Sequence, residues 1–180
     1  ADLQVRGQAV SNAALIGSHD SNDFLFLPTL DVGYNVPMGA GFSLDALARG
    51  LSRVAAATGL GLALFRAGAA PWHDDPALYE KLRRRLPLGT AQLFPSLHLW
   101  DICALIAASR GVVGSSLHGR IVALAYGLPR VSLMPPQQGN RPDKRTAFAE
   151  TWEPESIPRS VAASQIERAV MQALAVPASV

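Results

Sequence analysis

The segment that most constrains the fold reads Val112-Val113-Gly114-Ser115-Ser116-Leu117-His118-Gly119. Two apolar residues followed by glycine and two serines predict a short buried strand that ends in a tight turn. A helix is predicted over residues 117–126, and Gly127 ends it because glycine adopts the backbone conformation that helix termini favour. A strand joined closely to a helix is the unit from which parallel α/β sheets are built.

The same alternation extends in both directions along the chain. The predicted strands are Phe24–Leu27, a continuous apolar run expected to be buried on both faces, and residues 60–65, 92–94 and Arg130–Leu133. The further predicted helices are Leu44–Thr58, capped by Ser43 and stopped by Gly59, and residues 76–86, 99–109 and 160–175. Residues 134–158 hold five of the 13 prolines and are interpreted as an irregular excursion. Alternating strands and helices predict right-handed βαβ crossovers and a Rossmann-like three-layer sandwich with a parallel sheet.

Composition limits the class of protein. With 180 residues, 49% apolar and 17% charged, the chain predicts one soluble globular domain over residues 23–180, preceded by a loop or linker at 1–22. A net charge of +2 is too small for a nucleic-acid footprint, and no apolar run is long enough to span a membrane. Cys103 is the only cysteine, which excludes a disulfide scaffold and cysteine-based zinc sites. No signal peptide is visible, so a cytoplasmic location is expected. The first residue is Ala1, which leaves open that the chain is a piece of a longer protein.

The turn after Val113 is the strongest candidate site, because open parallel sheets bind ligands beyond the carboxyl ends of their strands. Small residues let a ligand approach the backbone, Ser115 or Ser116 can cap the helix, and the first-turn amide groups favour an anion. His118 lies in that first turn, where it can donate to a phosphate or move a proton near neutral pH. The alternative is that the serines only cap the helix and His118 packs beside the sheet. A Gly-x-Ser-x-Gly nucleophile elbow is excluded, and no Walker or dinucleotide glycine pattern occurs.

At this point the sequence resembles the polysaccharide pyruvyl transferases. The resemblance rests on residues 112–119, on 123–129 with Tyr126-Gly127-Leu128-Pro129, on the helix before them, and on Asp143-Lys144-Arg145-Thr146-Ala147-Phe148. It covers roughly residues 95–150 and implies the second half of a glycosyltransferase-B-like (GT-B-like) architecture, with the active site between two Rossmann-like halves. It also implies an enzyme that transfers a pyruvyl group from phosphoenolpyruvate to two sugar hydroxyls. The product is a ketal on an exopolysaccharide or cell-wall glycan, and no cofactor beyond the donor substrate is implied.

The resemblance also implies roles for individual residues. His118 becomes the general acid or a phosphate ligand, and the substrate-binding positions around it are Gly114, Ser115, Ser116, Leu117 and Gly119. The family motif usually reads Ser-Arg-Leu-His-Gly, so Ser116 stands where an arginine is expected to hold the donor. Arg66 and Lys144 are the predicted replacement cations, whereas Arg120 is rejected because it lies about 200° around the helix from His118.

Several interpretations remain open at this stage. His73-Asp74-Asp75 reads more simply as a helix start than as a metal site, and no metal is expected. His98 and Trp100, beside Asp101, are weaker candidates for lining the cleft. The alternative functions are a nucleotide-sugar glycosyltransferase domain of the same architecture and a non-catalytic fragment lacking its N-terminal half. The expected partners are phosphoenolpyruvate, a saccharide acceptor, and either an N-terminal Rossmann-like half or a second copy of the chain. A peripheral position at the inner membrane face, where glycan precursors are built, is a further expectation.

Overall fold

A six-stranded parallel sheet forms the centre of the part of the chain that the structure describes. This computed structural model describes residues 24–27, 44–67, 76–134 and 144–176. The strand order is β3-β2-β1-β4-β5-β6, and every neighbouring pair is parallel. The strands are β1 (Phe24–Leu27), β2 (Gly61–Leu64), β3 (Ala91–Leu93), β4 (Gly111–Gly114), β5 (Arg130–Leu133) and β6 (Ser160–Val161).

Helices cover both faces of this sheet. They are α1 (Leu44–Thr58), α2 (Pro76–Arg83), α3 (Leu99–Ala107), α4 (Leu117–Ala125), α5 (Lys144–Trp152) and α6 (Ile166–Ala175), with a 3-10 turn at Ala163–Gln165. Apolar side chains of α1, α2 and α6 form one buried cluster with Leu62 and Leu64, while those of α3 and α4 form a second with Ala63 and Phe65. Alternate residues of β2 therefore face opposite layers, as the two-residue period of a strand requires. The predicted three-layer α/β sandwich is confirmed.

The path of the chain through the sheet locates the ligand-binding edge. From β1 the chain moves outward through β2 to β3, then crosses back over the opposite face to β4, on the other side of β1. The strand order thus reverses between β1 and β4, and their carboxyl ends border the crevice where parallel sheets bind ligands. The turn from β4 into α4 lies at this crevice.

Three glycines support the fold, two by their backbone conformation and one by allowing a close contact between helices. Gly59 and Gly127 have φ values of +74° and +65°, in agreement with the predicted helix stops after α1 and α4. At Gly50 in α1, a Cβ atom would lie 2.3 Å from Cγ2 of Ile166 in α6. A glycine at this position lets the two helices pack in close contact.

Most predicted elements agree with the structure to within three residues, and two predictions are wrong. Residues 134–158 were expected to be irregular, yet they contain α5, whose described side chains bury only Arg145 and Ala149. A helix with so few buried apolar side chains shows no apolar stripe, so hydrophobic periodicity does not reveal it. The helix predicted at 160–175 begins only at Ile166, because Ser160 and Val161 pair with β5 instead.

Residues 1–22, Ser43 and residues 73–75 lie outside the described ranges. Across those ranges, no helix combines the length and the apolar character needed to cross a bilayer.

Candidate functional site

The turn between β4 and α4 has the geometry expected of a capped helix start. Ser116 occupies the N-cap with extended backbone angles (φ −78°, ψ 121°), and its Oγ accepts a hydrogen bond of 3.3 Å from the amide of Gly119. Of the two serines considered as caps, Ser116 is therefore the one that acts. Gly114 and Ser115 are buried at the end of β4. The amide groups at the start of a helix have no partner inside it, and they carry the positive end of the helix dipole.

His118 is the second residue of α4, and its side chain is exposed. The imidazole therefore does not pack beside the sheet, which was the alternative interpretation. Leu117 is half-buried and Gly119 is buried. A titratable, solvent-accessible ring beside outward-facing amide groups is chemically able to bind an anion and to transfer a proton.

A buried arginine that the sequence did not single out contacts this turn. Arg145 in α5 is only 5% exposed, and its Nη1 donates to the main-chain carbonyl of Ser115 over 2.5 Å. A guanidinium therefore lies against the end of β4. Its neighbour in sequence, Lys144, was one of the two predicted replacement cations. Nothing in the pattern of residues 143–148 indicates which of the two basic side chains turns inward.

The two predicted replacement cations lie at different distances from the turn. Lys144 is exposed at the first position of α5, beside Arg145, so α5 brings it toward α4. Arg66 is half-buried two residues beyond the end of β2, and β1 lies between β2 and β4. Two strand spacings place Arg66 roughly 10 Å from the β4–α4 turn, along the same edge of the sheet.

The side chain of Arg120, which the sequence analysis rejected as a contact of phosphoenolpyruvate, points into the protein. It is 3% exposed, and its Nε donates to Glu153 over 2.9 Å while its Nη1 donates to Oγ of Ser132 over 3.0 Å. Arg130 also donates to Glu153 from Nε over 2.9 Å. Burial favours the neutral acid, but the two arginines outweigh it and hold the pKa of Glu153 below its ordinary value. These three side chains tie α4, β5 and the end of α5 together.

A second group of polar side chains lies at the corner between β3 and α3. Oγ of Ser96 donates to Oδ2 of Asp101 over 2.6 Å and accepts from the amide of His98 over 3.1 Å. Nδ1 of His98 is 3.9 Å from Oδ1 of Asp101. Trp100, between them on the first turn of α3, is 60% exposed. Because β3 and β4 are parallel, this corner shares the carboxyl edge of the sheet with His118. Within the described ranges, no group of three histidine, cysteine or acidic side chains is arranged to hold a metal ion.

Comparison with solved structures shows what kind of domain this is. UDP-GlcNAc 2-epimerase from Methanocaldococcus jannaschii matches 98% of the chain with a TM-score of 0.64 at 12% identity, and 44% of that protein is covered. A family 9 glycosyl transferase from Veillonella parvula matches 95% (TM-score 0.59, 14% identity, 51% of that protein), and E. coli ADP-heptose lps heptosyltransferase II matches 93% (0.58, 16%, 49%). The fold is similar to one half of the GT-B-like architecture.

This GT-B-like half spans about half the length of the solved proteins it matches, or less. At such low identity the likeness concerns the fold alone. No protein-family model matches the sequence, and a comparison with curated proteins found no match. The pyruvyl transferase resemblance of residues 95–150 therefore stays a prediction.

Proposed function

We propose that this GT-B-like half binds phosphoenolpyruvate at the start of α4 and serves a polysaccharide pyruvyl transferase. The observation that carries the proposal is the exposed imidazole of His118 on the first turn of a capped helix, at the crevice between β1 and β4. Phosphoenolpyruvate is small and highly anionic, so helix amide groups and cationic side chains favour its binding. The motif resemblance of residues 112–119 points to the same donor.

The reaction needs one proton delivered to carbon and two removed from oxygen. The donor methylene carbon takes up a proton and becomes a methyl group while one sugar hydroxyl oxygen bonds to the neighbouring carbon. The second hydroxyl oxygen then bonds to that carbon as the carbon–oxygen bond to phosphate breaks. Of the two hydroxyl protons, the balance assigns one to the methyl group and one to the departing phosphate. A group that can hold a proton near neutral pH is thus required beside the donor.

The side chains around the turn divide this work by position. His118, exposed above the helix start, is the proposed general acid or phosphate ligand. The first-turn amides and the guanidinium of Arg145 stabilise negative charge at the end of β4. Lys144 and Arg66 remain the proposed direct cationic contacts, with Lys144 favoured because its helix touches the turn. The saccharide acceptor and the opposing half of the cleft, or a second copy of the chain, complete the proposed site.

Thermal unfolding in the presence of ligands tests the donor. Phosphoenolpyruvate is expected to raise the melting temperature of the wild-type chain, because a ligand that binds only the folded state stabilises it. His118→Ala should lose this rise while Tyr126→Ala, an exposed position at the other end of the same helix, should keep it. If His118→Ala is protected as well as the wild type, His118 has no part in donor binding.

A nucleotide-sugar enzyme is the second candidate, supported by the names of the solved neighbours. One of them, UDP-GlcNAc 2-epimerase from Neisseria meningitidis, was solved with UDP-GlcNAc and has a TM-score of 0.63 at 12% identity. This candidate predicts protection by UDP or ADP and none by phosphoenolpyruvate. Protection by neither would favour the non-catalytic fragment and overturn both enzymatic proposals.

A further inference from the structure

The corner between β3 and α3 exposes more apolar surface than its surroundings explain. Leu93, Leu97, Leu99 and Trp100 are 42%, 41%, 64% and 60% exposed, although they lie within eight consecutive positions. Single exposed apolar residues are ordinary on protein surfaces, whereas several together mark a binding surface. An indole in water at the ligand-binding edge of the sheet is the most distinctive of them.

Polar groups of defined orientation accompany this apolar surface. The carboxylate of Asp101 is fixed by the hydroxyl of Ser96, and the exposed imidazole of His98 lies 3.9 Å from its other oxygen. The amide of His98 is held by the same hydroxyl. The side chains of His98 and Asp101 therefore lie close together at the start of α3, next to Trp100 in sequence, and Ser96 holds the carboxylate of Asp101 and the backbone of His98.

We propose that Ser96, His98, Trp100 and Asp101 form a saccharide-binding site that takes a pyranose ring of the acceptor. A pyranose has an apolar face of C–H groups, which packs on an indole, and a rim of hydroxyls, which needs donors and acceptors at its edge. Trp100 supplies the first surface, and His98 and Asp101 supply the second. The inference rests on the proposed function in calling this saccharide the acceptor.

Calorimetric titration with defined trisaccharides tests the site without any donor. Maltotriose, cellotriose, laminaritriose and mannotriose are titrated into the 180-residue chain and into Trp100→Ala and Trp152→Ala. Trp152 is the matched control, because it is 68% exposed at the far end of α5. At least one trisaccharide should bind, Trp100→Ala should weaken its affinity roughly tenfold, and Trp152→Ala should leave it unchanged. His98→Ala and Asp101→Asn should each weaken it as well.

A fluorescence measurement gives a second readout in a chain that keeps Trp100. In the double variant W72F/W152F only Trp100 remains as tryptophan, so the bound trisaccharide should shift its emission. The absence of binding by every trisaccharide, or equal binding by Trp100→Ala and the wild type, would overturn the inference and leave a protein-docking surface as the explanation of the patch. Binding that depends on Trp100 in a chain that phosphoenolpyruvate does not protect would instead overturn the proposed donor and leave the saccharide site standing.

Discussion

The guanidinium of Arg145 donates to the main-chain carbonyl of Ser115, so a buried cation from α5 braces the turn that carries His118. The two residues lie 30 positions apart in sequence, and the contact joins the start of α5 to the end of β4. The turn is therefore next to the positive charge of Arg145 as well as to the amide groups at the start of α4. This bears directly on Ser116, which stands where the pyruvyl transferase motif usually carries an arginine.

Replacing Arg145 should weaken both donor binding and the fold. In Arg145→Met we expect the phosphoenolpyruvate-dependent rise in melting temperature to be largely lost, because the charge beside the turn is gone. The ligand-free chain should also lose about 1.5–3 kcal/mol of unfolding free energy with the charged hydrogen bond. Arg145→Lys should recover part of the donor effect, and Arg168→Met, an exposed position on α6, should change neither quantity. Full donor protection of Arg145→Met would show that the guanidinium only supports the turn.

Two substitutions at Ser116 should separate helix capping from anion binding. Ser116→Ala removes the cap, which is expected to lower the unfolding free energy by about 1 kcal/mol while the donor still binds. Ser116→Asp keeps a capping oxygen but brings a negative charge to the donor, so stability should be kept and binding lost. Denaturant unfolding and donor titration of both variants check this crossed pattern. Equal donor affinity in the two variants would place the anion elsewhere.

Replacing the buried carboxylate of Glu153 should lower the unfolding free energy more than replacing a carboxylate at the surface. Its side chain is fully buried between Arg120 and Arg130. Removing one partner of a buried pair leaves uncompensated charge, so Glu153→Gln should cost about 3–5 kcal/mol of unfolding free energy. Glu80→Gln is the control, since its carboxylate pairs with Arg83 and Arg84 at the surface. Denaturant unfolding should show a much smaller loss there because water screens exposed pairs.

The same group predicts how stability depends on pH. Although burial acts in the opposite direction, hydrogen bonds from Arg120 and Arg130 hold the pKa of Glu153 below 4.5 in the folded protein. A carboxylate whose pKa is lower in the folded protein than in the unfolded chain stabilises the fold at pH values above its unfolded pKa. This contribution is lost as the pH falls through the pKa of the folded protein. Wild-type unfolding free energy should thus fall as the pH drops below 4.5. Glu153→Gln should show a shallower slope over that window, and parallel slopes would contradict the assignment.

Gly50 should tolerate no larger side chain while Ile166 is present. A Cβ atom there would lie 2.3 Å from a methyl group that is itself fully buried. Gly50→Ala should lower the unfolding free energy by about 1–2 kcal/mol, since overpacking exceeds the gain in helix propensity. In the background of Ile166→Ala the same substitution should be harmless or stabilising. A double-mutant cycle without coupling between the two positions would show that α1 and α6 are not packed this closely.

Elements with a strong apolar pattern were predictable and the polar ones were not. The apolar stripe of α1 and its glycine stop place that helix at Leu44–Thr58, in agreement with the structure. In contrast, α5 is held by Arg145, Ala149 and contacts of its end, where Arg159 donates to the carbonyls of Ala149 and Glu153. Such contacts come from distant parts of the chain, and local periodicity does not register them.

The same distinction applies to the candidate site. Its turn and a serine cap follow from residues 112–119, because strand, turn and helix start are adjacent in sequence. That Ser116 is the cap and that His118 is exposed were decided by the structure. The arginine behind the turn and the Ser96–Asp101 contact beside Trp100 were not predictable in this way. Whether an arginine is buried depends on which hydrogen-bond acceptors the tertiary structure places beside it.

The amino-acid sequence alone determined the alternation of strands and helices from β1 to β5 and the chemistry of the β4–α4 turn, since both depend on neighbouring residues. Only the tertiary structure decided that β1 separates β2 from β4, that Arg120 turns inward to Glu153, and that Arg145 reaches Ser115. These relationships depend on packing between segments far apart in the chain. The free energy of such a contact depends on the shape and polarity of both segments, which local sequence patterns do not show.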